Sequence, residues 1–275
     1  MTDRAAQNGC AACPLHSPGG LKRLGVDMTG HDHVVALAGN PNTGKSTVFN
    51  ALTGLRQHTG NWPGKTVSRA EGAFAIDGAK YKLVDLPGTY SLLATSLDEE
   101  IARDFILFGR PDVTVVVVDA TRLERNLNLV LQVQEITDRV AVACNLMDEA
   151  KRHGLQVDTR SLARDLGVPV VPMSARQGVG TDELLQVIGQ LARGEVHSRP
   201  YRVRYETPAI KQAIDDLTDH ITRSLPGIPN ARWVAIRLLD GDRRIAEALR
   251  KGELGDLTRG GTGDRAAQIQ VLGNQ

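Results

Sequence analysis

The stretch HVVALAGNPNTGKSTVFNALTG, residues 33–54, decides the fold of this chain. Its opening apolar run is typical of a buried strand, and residues 45–53 have helical spacing that Gly54 can close. The segment GNPNTGKS, residues 39–46, lies between them and fits the pattern G-x-x-x-x-G-K-[ST]. Because this pattern stands directly after a strand and directly before a helix, it predicts a phosphate-binding loop rather than an ordinary turn with a surface lysine.

The glycines of this loop let its backbone N–H groups turn toward phosphate oxygens, and the start of the helix adds a favourable dipole. Lys45 is expected to reach the β- and γ-phosphates, and the Ser46 hydroxyl is expected to bind Mg²⁺. The predicted nucleotide-binding residues of the loop are Gly39, Asn40, Asn42, Thr43, Gly44, Lys45, Ser46 and Thr47.

The segments that follow alternate between strands and helices as far as about Gly194. GAFAIDGAKYKLVDLPG, residues 72–88, predicts two strands joined by a hairpin at Asp77-Gly78. Further buried strands are predicted within residues 112–120, 139–145 and 168–174. Helical spacing occurs near residues 97–108, 124–136, 158–166 and 181–192. The pattern indicates an α/β fold, with a mostly parallel six-stranded sheet that has one antiparallel strand and helices on both faces.

Composition and charge exclude several classes of protein. The chain has 275 residues, of which 41% are hydrophobic and 24% charged, so it can bury a core. A formal charge of +1 gives no overall field that would attract nucleic acid. No apolar run approaches the about 20 residues that a membrane-spanning helix needs, and no secretory signal opens the chain. Three cysteines do not make a disulfide framework, so we expect a soluble, cytoplasmic chain.

The chain is predicted to have three parts. Residues 1–30 are rich in small residues, Gly and Pro, and predict a flexible leader. Residues 31–194 carry the alternating pattern. Residues 195–275 have helical spacing without strand-like runs, which predicts a small all-helical domain.

Two further segments contain candidate Mg²⁺ ligands. In LVDLPG, residues 83–88, Asp85 ends a strand and can hold Mg²⁺ through water, while the Gly88 N–H can sense the γ-phosphate. In the loop HTGNWPGKTVS, residues 58–68, Thr66 is the hydroxyl expected to join the Mg²⁺ shell when the γ-phosphate is present. Each segment alone also fits a plain loop, but their order after the phosphate loop favours the functional interpretation.

The segment NLMDEA, residues 145–150, predicts recognition of guanine. The Asp148 carboxylate can accept hydrogen bonds from the N1–H and amino group that guanine has and adenine lacks. Asn145 can bond the base and tie its loop to the phosphate loop. Leu146 stands where such motifs usually carry a lysine, and its apolar side chain can still cover the base. Ser174 and Ala175 fit the last guanine loop, with the Ala175 N–H facing O6.

A glutamine that orients the attacking water is absent from its usual place after Gly88, where the chain has Thr89. Hydrolysis is therefore expected to be slow or to use another device, such as a monovalent cation near the phosphates. The predicted catalytic residues are Lys45, Thr66, Asn42 and Gly88.

With these motifs, the chain resembles the cytosolic N-terminal part of the ferrous-iron transporter FeoB family. The resemblance spans residues 33–242 and rests on GNPNTGKSTVFNALTG, GNWPGKTV, DLPGTYSL, NLMDEA and ARWVAIRLLDGD. It implies a Ras-like P-loop GTPase domain and a helical domain that favours GDP binding. It also implies K⁺ activation, in which Asn42 and the backbone carbonyls of Gly60 and Trp62 would hold the ion. Trp62 is equally well interpreted as a packing residue.

The resemblance further implies a bacterial Fe²⁺ transporter whose nucleotide state controls iron uptake. This chain would be its cytoplasmic domain at the inner membrane, and the natural protein is expected to continue beyond Gln275 into a permease. Small cytosolic accessory proteins and a homo-oligomer are further candidate partners, whereas nucleic acid is not expected.

Three questions stay open at the level of sequence. Cys10, Cys13 and His16 have the spacing C-x₂-C-x₂-H and are candidate Zn²⁺ or Fe²⁺ ligands, although three ligands do not close a tetrahedral site. A soluble ribosome-assembly GTPase that binds RNA would share the generic motifs, but would need a basic module after residue 195. A nucleotide-holding scaffold with incidental hydrolysis is the third possibility.

Overall fold

A seven-stranded sheet forms the centre of the larger part of this chain. The computed structural model describes residues 18–54, 57–93, 96–202, 207–225, 228 and 230–251. The strands are β1 (His33–Gly39), β2 (Gln57–Asn61), β3 (Ser68–Ile76), β4 (Ala79–Asp85), β5 (Val113–Asp119), β6 (Val140–Asn145) and β7 (Val170–Pro172). Their order across the sheet is β2-β3-β4-β1-β5-β6-β7.

The sheet is parallel except at β3, which pairs antiparallel with both β2 and β4. The predicted α/β fold is therefore confirmed, with seven strands rather than six. The additional strand β2 has the sequence QHTGN, which lacks apolar alternation. It forms because its backbone pairs with the edge of β3, from Gln57 opposite Gly72 to Asn61 opposite Ser68.

The helices of the larger unit are α1 (Pro18–Arg23), α2 (Lys45–Thr53), α3 (Leu97–Asp104), α4 (Leu123–Ile136), α5 (Met147–Arg152), α6 (Thr159–Leu166) and α7 (Thr181–Ala192). A π-helix, Phe105–Gly109, continues α3, and a short 3₁₀ helix spans Ala175–Gln177. Gly54 ends α2 in the left-handed conformation, as predicted, and its N–H donates to the Asn50 carbonyl.

The core lies on the apolar central strands, because β1 and β6 are buried along their whole length and β5 along all but its last residue. On one face of the sheet, Phe49 and Leu52 of α2 and Leu184 and Ile188 of α7 belong to a single buried cluster with β1, β4 and β5. Strands buried on both faces are typical of parallel sheets covered by helices. The carboxyl ends of β1, β4, β5 and β6 therefore meet along one edge of this sheet.

The described part of the predicted leader contains α1. Leu21 and Val26 are buried although the sequence there has no sustained period. These two apolar residues hold the segment in place through tertiary contacts. Such contacts leave no periodic pattern in the sequence.

The chain divides into two compact units between Arg202 and Val203, after the sequence-based boundary at Gly194. Residues 195–202 belong with the first unit because the Arg199 N–H donates to the Gly167 carbonyl at 2.9 Å and the Tyr201 N–H to the Leu166 carbonyl at 2.9 Å.

The second unit contains α8 (Pro208–Ser224), α9 (Ala231–Leu239) and α10 (Arg243–Arg250). Its buried side chains include Ile214, Ile221, Trp233, Val234 and Ile245. Asp242 caps α10 by accepting hydrogen bonds from the N–H groups of Arg244 and Ile245.

Within the described ranges, no helix combines the length and the apolar character that crossing a bilayer requires.

Candidate functional site

The predicted phosphate-binding loop connects β1 directly to α2. Asn42 and Gly44 adopt left-handed backbone conformations, with φ of 67° and 78°. A Cβ atom at Gly39 would lie 2.8 Å from the Val117 carbonyl oxygen, and one at Gly44 would overlap the side-chain nitrogen of Asn145. Glycine is therefore required at both positions, and the loop makes the tight turn that a phosphate cradle needs.

Asn40 and Thr43 of this loop are buried, whereas Asn42 and the helical end of the loop face solvent. The Thr43 hydroxyl donates a hydrogen bond of 2.9 Å to the Asn40 carbonyl. Asn40 is 2% exposed, and its side-chain amide has no hydrogen-bond partner in the part of the chain that the structure describes. An unpaired buried amide costs about 1–3 kcal/mol, and such groups call for a functional explanation. Ser46 and Thr47, at the start of α2, are exposed.

Lys45 and Asp85, predicted from two separate motifs, are in direct contact. The Lys45 ammonium forms an ion pair with the Asp85 carboxylate and donates a hydrogen bond of 2.7 Å to the Leu86 carbonyl. Burial raises the pKa of Asp85, and the adjacent Lys45 charge opposes this rise. The end of β4 is thus placed beside the phosphate loop.

The loop after β4 continues this contact. A Cβ atom at Gly88 would lie 3.5 Å from Pro41 of the phosphate loop, and the Thr89 N–H donates to the Gly39 carbonyl at 3.2 Å. Thr89 is buried, and its hydroxyl donates a hydrogen bond of 2.7 Å to the Ser91 carbonyl. Because this hydroxyl is already engaged, Thr89 is poorly placed to act in place of a water-orienting glutamine.

Asn145, at the end of β6, joins two loops of the site. Its side-chain nitrogen donates to the Thr43 carbonyl at 3.0 Å, and its side-chain oxygen accepts from the Ala175 N–H at 3.0 Å. Asn145 is 1% exposed, so both bonds are shielded from water. The phosphate loop and the loop after β7 are therefore held in a fixed relation by one buried amide.

Asp148 lies close to the same end of the sheet, in the first turn of α5. Its N–H donates to the Ser174 hydroxyl oxygen at 3.2 Å. Its carboxylate accepts from the Gln177 side chain at 3.3 Å and lies 3.5 Å from the Arg152 guanidinium. Leu146, directly before α5, has a φ of 62°. This left-handed conformation sets the direction in which α5 begins.

A cleft of about 800 Å³ opens next to Asp148, and its lining residues are Asp148, Lys151, Arg152, Arg176 and Gln177. Only Asp148 among them was predicted from the sequence. Lys151 and Arg152 lie three and four residues after Asp148 on one helix. This spacing could have indicated that both cations lie near the Asp148 carboxylate. Arg176 and Gln177 had no such local signal.

The other predicted phosphate-side residues lie in the hairpin formed by β2 and β3. Gly60 is paired with Arg69, and the Trp62 carbonyl accepts from the Lys65 N–H at 3.0 Å. Thr66 is exposed in the connecting turn. Hydroxyl, amide and carbonyl oxygens suit Mg²⁺ and K⁺ chemically. In this arrangement, however, Gly60 and the Trp62 carbonyl are engaged within the hairpin.

The candidate ligands Cys10, Cys13 and His16 lie outside the described residues. In the described ranges, no group of three or more His, Cys, Asp or Glu side chains is arranged to bind a metal ion.

A tight phosphate loop between β1 and α2, an aspartate loop beside it and an asparagine that bridges to the final loop define the G domain of a Ras-like P-loop GTPase. The family model described as "Ferrous iron transport protein B" matches residues 33–188, and that described as "FeoB cytosolic helical domain" matches residues 207–265. The chain belongs to the FeoB family.

Individual relatives agree with this assignment. The Fe(2+) transporter FeoB of Salmonella typhimurium is 43% identical over 212 residues, which cover 76% of this chain and 27% of the relative. The Fe(2+) transporter FeoB of Escherichia coli K12 is 41% identical over the same length and the same shares. The chain thus spans 27% of the length of these relatives.

Solved structures of cytosolic FeoB domains have the same fold. That of L. pneumophila is 36% identical, with a TM-score of 0.72, and the match covers 82% of this chain and 89% of the other. The GDP form I of the T. maritima domain is 36% identical, with a TM-score of 0.71, covering 84% and 87%. These matches confirm the predicted fold and family, and they do not favour the RNA-binding alternative.

Proposed function

We propose that this chain binds GTP with Mg²⁺ and hydrolyses it to GDP and phosphate, and that its nucleotide state regulates Fe²⁺ uptake by a membrane permease. The observation that carries the proposal is the pair of hydrogen bonds by which Asn145 joins Thr43 to Ala175. These bonds support a fixed arrangement of two loops, in which the phosphate loop binds phosphates and the loop at Ala175 binds the base.

At the phosphate end, the backbone N–H groups of the loop and the Lys45 ammonium would bind the β- and γ-phosphates. Lys45 would exchange its present partner, the Asp85 carboxylate, for phosphate oxygens. Bound Mg²⁺ would neutralise charge on the β- and γ-oxygens, and Ser46, Thr66 and Asp85 are the residues that we propose to hold it. The Gly88 N–H would detect the γ-phosphate.

At the base end, the Asp148 carboxylate would accept the N1–H and amino group of guanine, and the Ala175 N–H would donate to O6. Leu146 would lay an apolar side chain on the ring in place of the usual lysine stem. The cleft beside Asp148 is supporting evidence, because it offers space bounded by a carboxylate and several donors.

Hydrolysis would proceed by in-line attack of water on the γ-phosphorus, with cleavage of the bond to the β–γ bridging oxygen. Because the Thr89 hydroxyl is engaged with the Ser91 carbonyl, we expect intrinsic turnover to be slow. A bound K⁺ would stabilise charge that develops on the phosphates. Asn42 and the carbonyls of Gly60 and Trp62 are its proposed ligands, once the loop leaves the hairpin.

The relatives named as Fe(2+) transporters support the proposed role in Fe²⁺ uptake. We propose that the permease belongs to the part of the natural protein that this chain does not span, and that the helical unit transmits the nucleotide state to it. Small accessory proteins and a homo-oligomer are further candidate partners on the cytoplasmic face of the membrane. Cys10, Cys13 and His16 stay candidates for metal sensing.

The decisive experiment measures nucleotide binding and phosphate release in K⁺, in Na⁺ and without a monovalent ion. We expect selective GTP binding with Mg²⁺ and hydrolysis that K⁺ stimulates, with the stimulation lost in Asn42→Ala. Equal affinity for ATP and GTP would exclude the proposed class. Negligible turnover in every salt would instead favour a nucleotide-holding scaffold.

A further inference from the structure

Arg69, at the start of β3, joins a segment that is distant in sequence to the loop that lies just before β3. Its guanidinium donates hydrogen bonds of 2.8 and 2.9 Å to the carbonyls of Leu24 and Gly25. Its Nε lies 2.9 Å from the Glu71 carboxylate, and its central carbon lies 5.3 Å from the centre of the Trp62 ring. A planar cation with several donors can make all these contacts at once, which a lysine cannot.

Trp62 is the contact of Arg69 on the phosphate-side loop. The indole is 2% exposed and packs edge-to-face on Phe105 of the π-helix, with ring centres 5.6 Å apart. It is therefore enclosed between a guanidinium and an aromatic ring. A short turn separates Trp62 from Thr66. Within it, the Lys65 N–H donates a hydrogen bond to the Trp62 carbonyl.

The segment Pro18–Val26, which we call the N-terminal strap, closes the cluster from the other side. Leu21 of the strap is completely buried, and a Cβ atom at Gly109 of the π-helix would lie 3.2 Å from it. Gly25 has a φ of 73°, and a Cβ atom there would lie 2.6 Å from Pro63 of the loop. The strap thus touches both the π-helix and the loop that carries Thr66.

We propose that Arg69 is a positioning residue for this loop, and that it and the N-terminal strap hold Trp62 and the Thr66 turn in the hairpin arrangement. The inference rests on the proposed function in one respect, since the loop must leave this arrangement for Thr66 to join the Mg²⁺ shell. Release of the loop requires the loss of the cation–π contact between Arg69 and Trp62, while the two charge-assisted hydrogen bonds of Arg69 hold the strap. Weakening the strap would then free the loop.

The test uses the two tryptophans of the chain, Trp62 and Trp233. The fluorescence of Trp62 is obtained in a Trp233→Phe background, with Trp62→Phe giving the Trp233 contribution separately. Arg69→Gln removes the guanidinium, Arg69→Lys keeps only the charge, and Leu21→Ala loosens the strap from its other side. Arg139→Gln is the matched control, because Arg139 also donates to two backbone carbonyls, those of Leu191 and Ala192.

The first measurement, acrylamide quenching without nucleotide, does not depend on GTP chemistry. We expect about a threefold higher quenching constant for Trp62 in Arg69→Gln and in Leu21→Ala, a smaller rise in Arg69→Lys, and no change in Arg139→Gln. Should Arg69→Gln fail to fold, Leu21→Ala and Arg69→Lys carry the test. An indole that stays inaccessible in all three variants would overturn the inference, whatever nucleotide does.

The second measurement follows Trp62 emission after mixing with Mg²⁺ and GMPPNP, with binding checked by calorimetry. Loss of the guanidinium should accelerate the emission change about tenfold, as expected for removing roughly 1.4 kcal/mol of holding contacts. Binding without any emission change in wild type or variants would show that the loop does not move, and would overturn the inference while the proposed function stands. Absence of GMPPNP and GDP binding throughout would overturn the proposed function, and the quenching result would then decide whether the strap holds the loop.

Discussion

The two ends of the site are built in different ways. At the base end, a single buried side chain, Asn145, fixes the phosphate loop and the final loop through two backbone partners. At the phosphate end, the loop around Thr66 is held as a hairpin by an edge strand, a turn and the contacts of Trp62. The first arrangement cannot change without leaving buried groups unpaired, whereas the second can exchange one set of partners for another. We therefore propose that the rigid end recognises the nucleotide and that the exchangeable end carries the switch.

The strongest test of this difference is Asn145→Ala. The change would leave the Thr43 carbonyl and the Ala175 N–H without their buried partner, at a cost of about 1–3 kcal/mol for each group. We expect the free energy of unfolding to fall by about 2–6 kcal/mol and GDP affinity to fall about 1,000-fold. Urea denaturation and calorimetry measure the two effects, and Asn128→Ala, on the exposed face of α4, is the control. Tight GDP binding by a destabilised Asn145→Ala chain would disprove the rigid-frame interpretation.

Lys45→Met should have the next largest effect, because it removes the ammonium proposed to bind phosphate and leaves Asp85 without its ion-pair partner. GTP affinity is expected to fall about 100-fold, which corresponds to the loss of roughly two charge-assisted contacts. A variant that keeps wild-type affinity would exclude Lys45 from the phosphate site.

The same variant should change how stability depends on pH. Burial raises the pKa of folded Asp85 above its ordinary value of 3.8, and Lys45 opposes the rise. The folded state therefore binds this proton more tightly than the unfolded state, and the Asp85 contribution to stability grows as pH falls through the raised pKa toward 3.8. Without Lys45 this recovery at low pH should be larger, whereas Lys45→Met/Asp85→Asn should lack it. Urea denaturation at a series of pH values from neutral down to 3.8, the ordinary pKa of the carboxyl, measures the difference.

Asp148→Asn is expected to alter base specificity while leaving the frame intact. An amide at this position offers a donor in place of one acceptor, which favours xanthine over guanine. We expect GTP affinity to fall about 30-fold and xanthosine triphosphate affinity to rise, with stability changed by less than about 1 kcal/mol. Competition binding with both nucleotides measures the change. Arg152→Gln is a useful comparison, since it removes the exposed ion-pair partner of Asp148 and keeps the Asp148 carboxylate.

The same division between local and tertiary contacts explains what the sequence could predict. The phosphate loop was predictable because its chemistry lies within one strand-loop-helix segment. The placement of Asn145 and Asp148 at the end of a buried strand was predictable from the NLMDEA motif, because the carboxyl ends of neighbouring parallel strands meet at one sheet edge. Strand β2 was not predictable, since QHTGN becomes a strand only by pairing with β3. The partners of Arg69 were equally hidden, because they come from the strap, the loop and a residue on its own strand.

The smallest expected effect, and the one that addresses the exchangeable end directly, is that of Thr66→Ala. Thr66 is exposed in the hairpin turn, and substitutions at exposed positions usually change stability little. GDP affinity and the free energy of unfolding should therefore stay within about 0.5 kcal/mol of wild type. GMPPNP affinity should fall about fivefold, because only the γ-phosphate state would recruit the hydroxyl to Mg²⁺. Calorimetry with both nucleotides separates the outcomes. An equal loss for GDP and GMPPNP would mean that Thr66 belongs to the rigid frame, and the contrast between the two ends would fail.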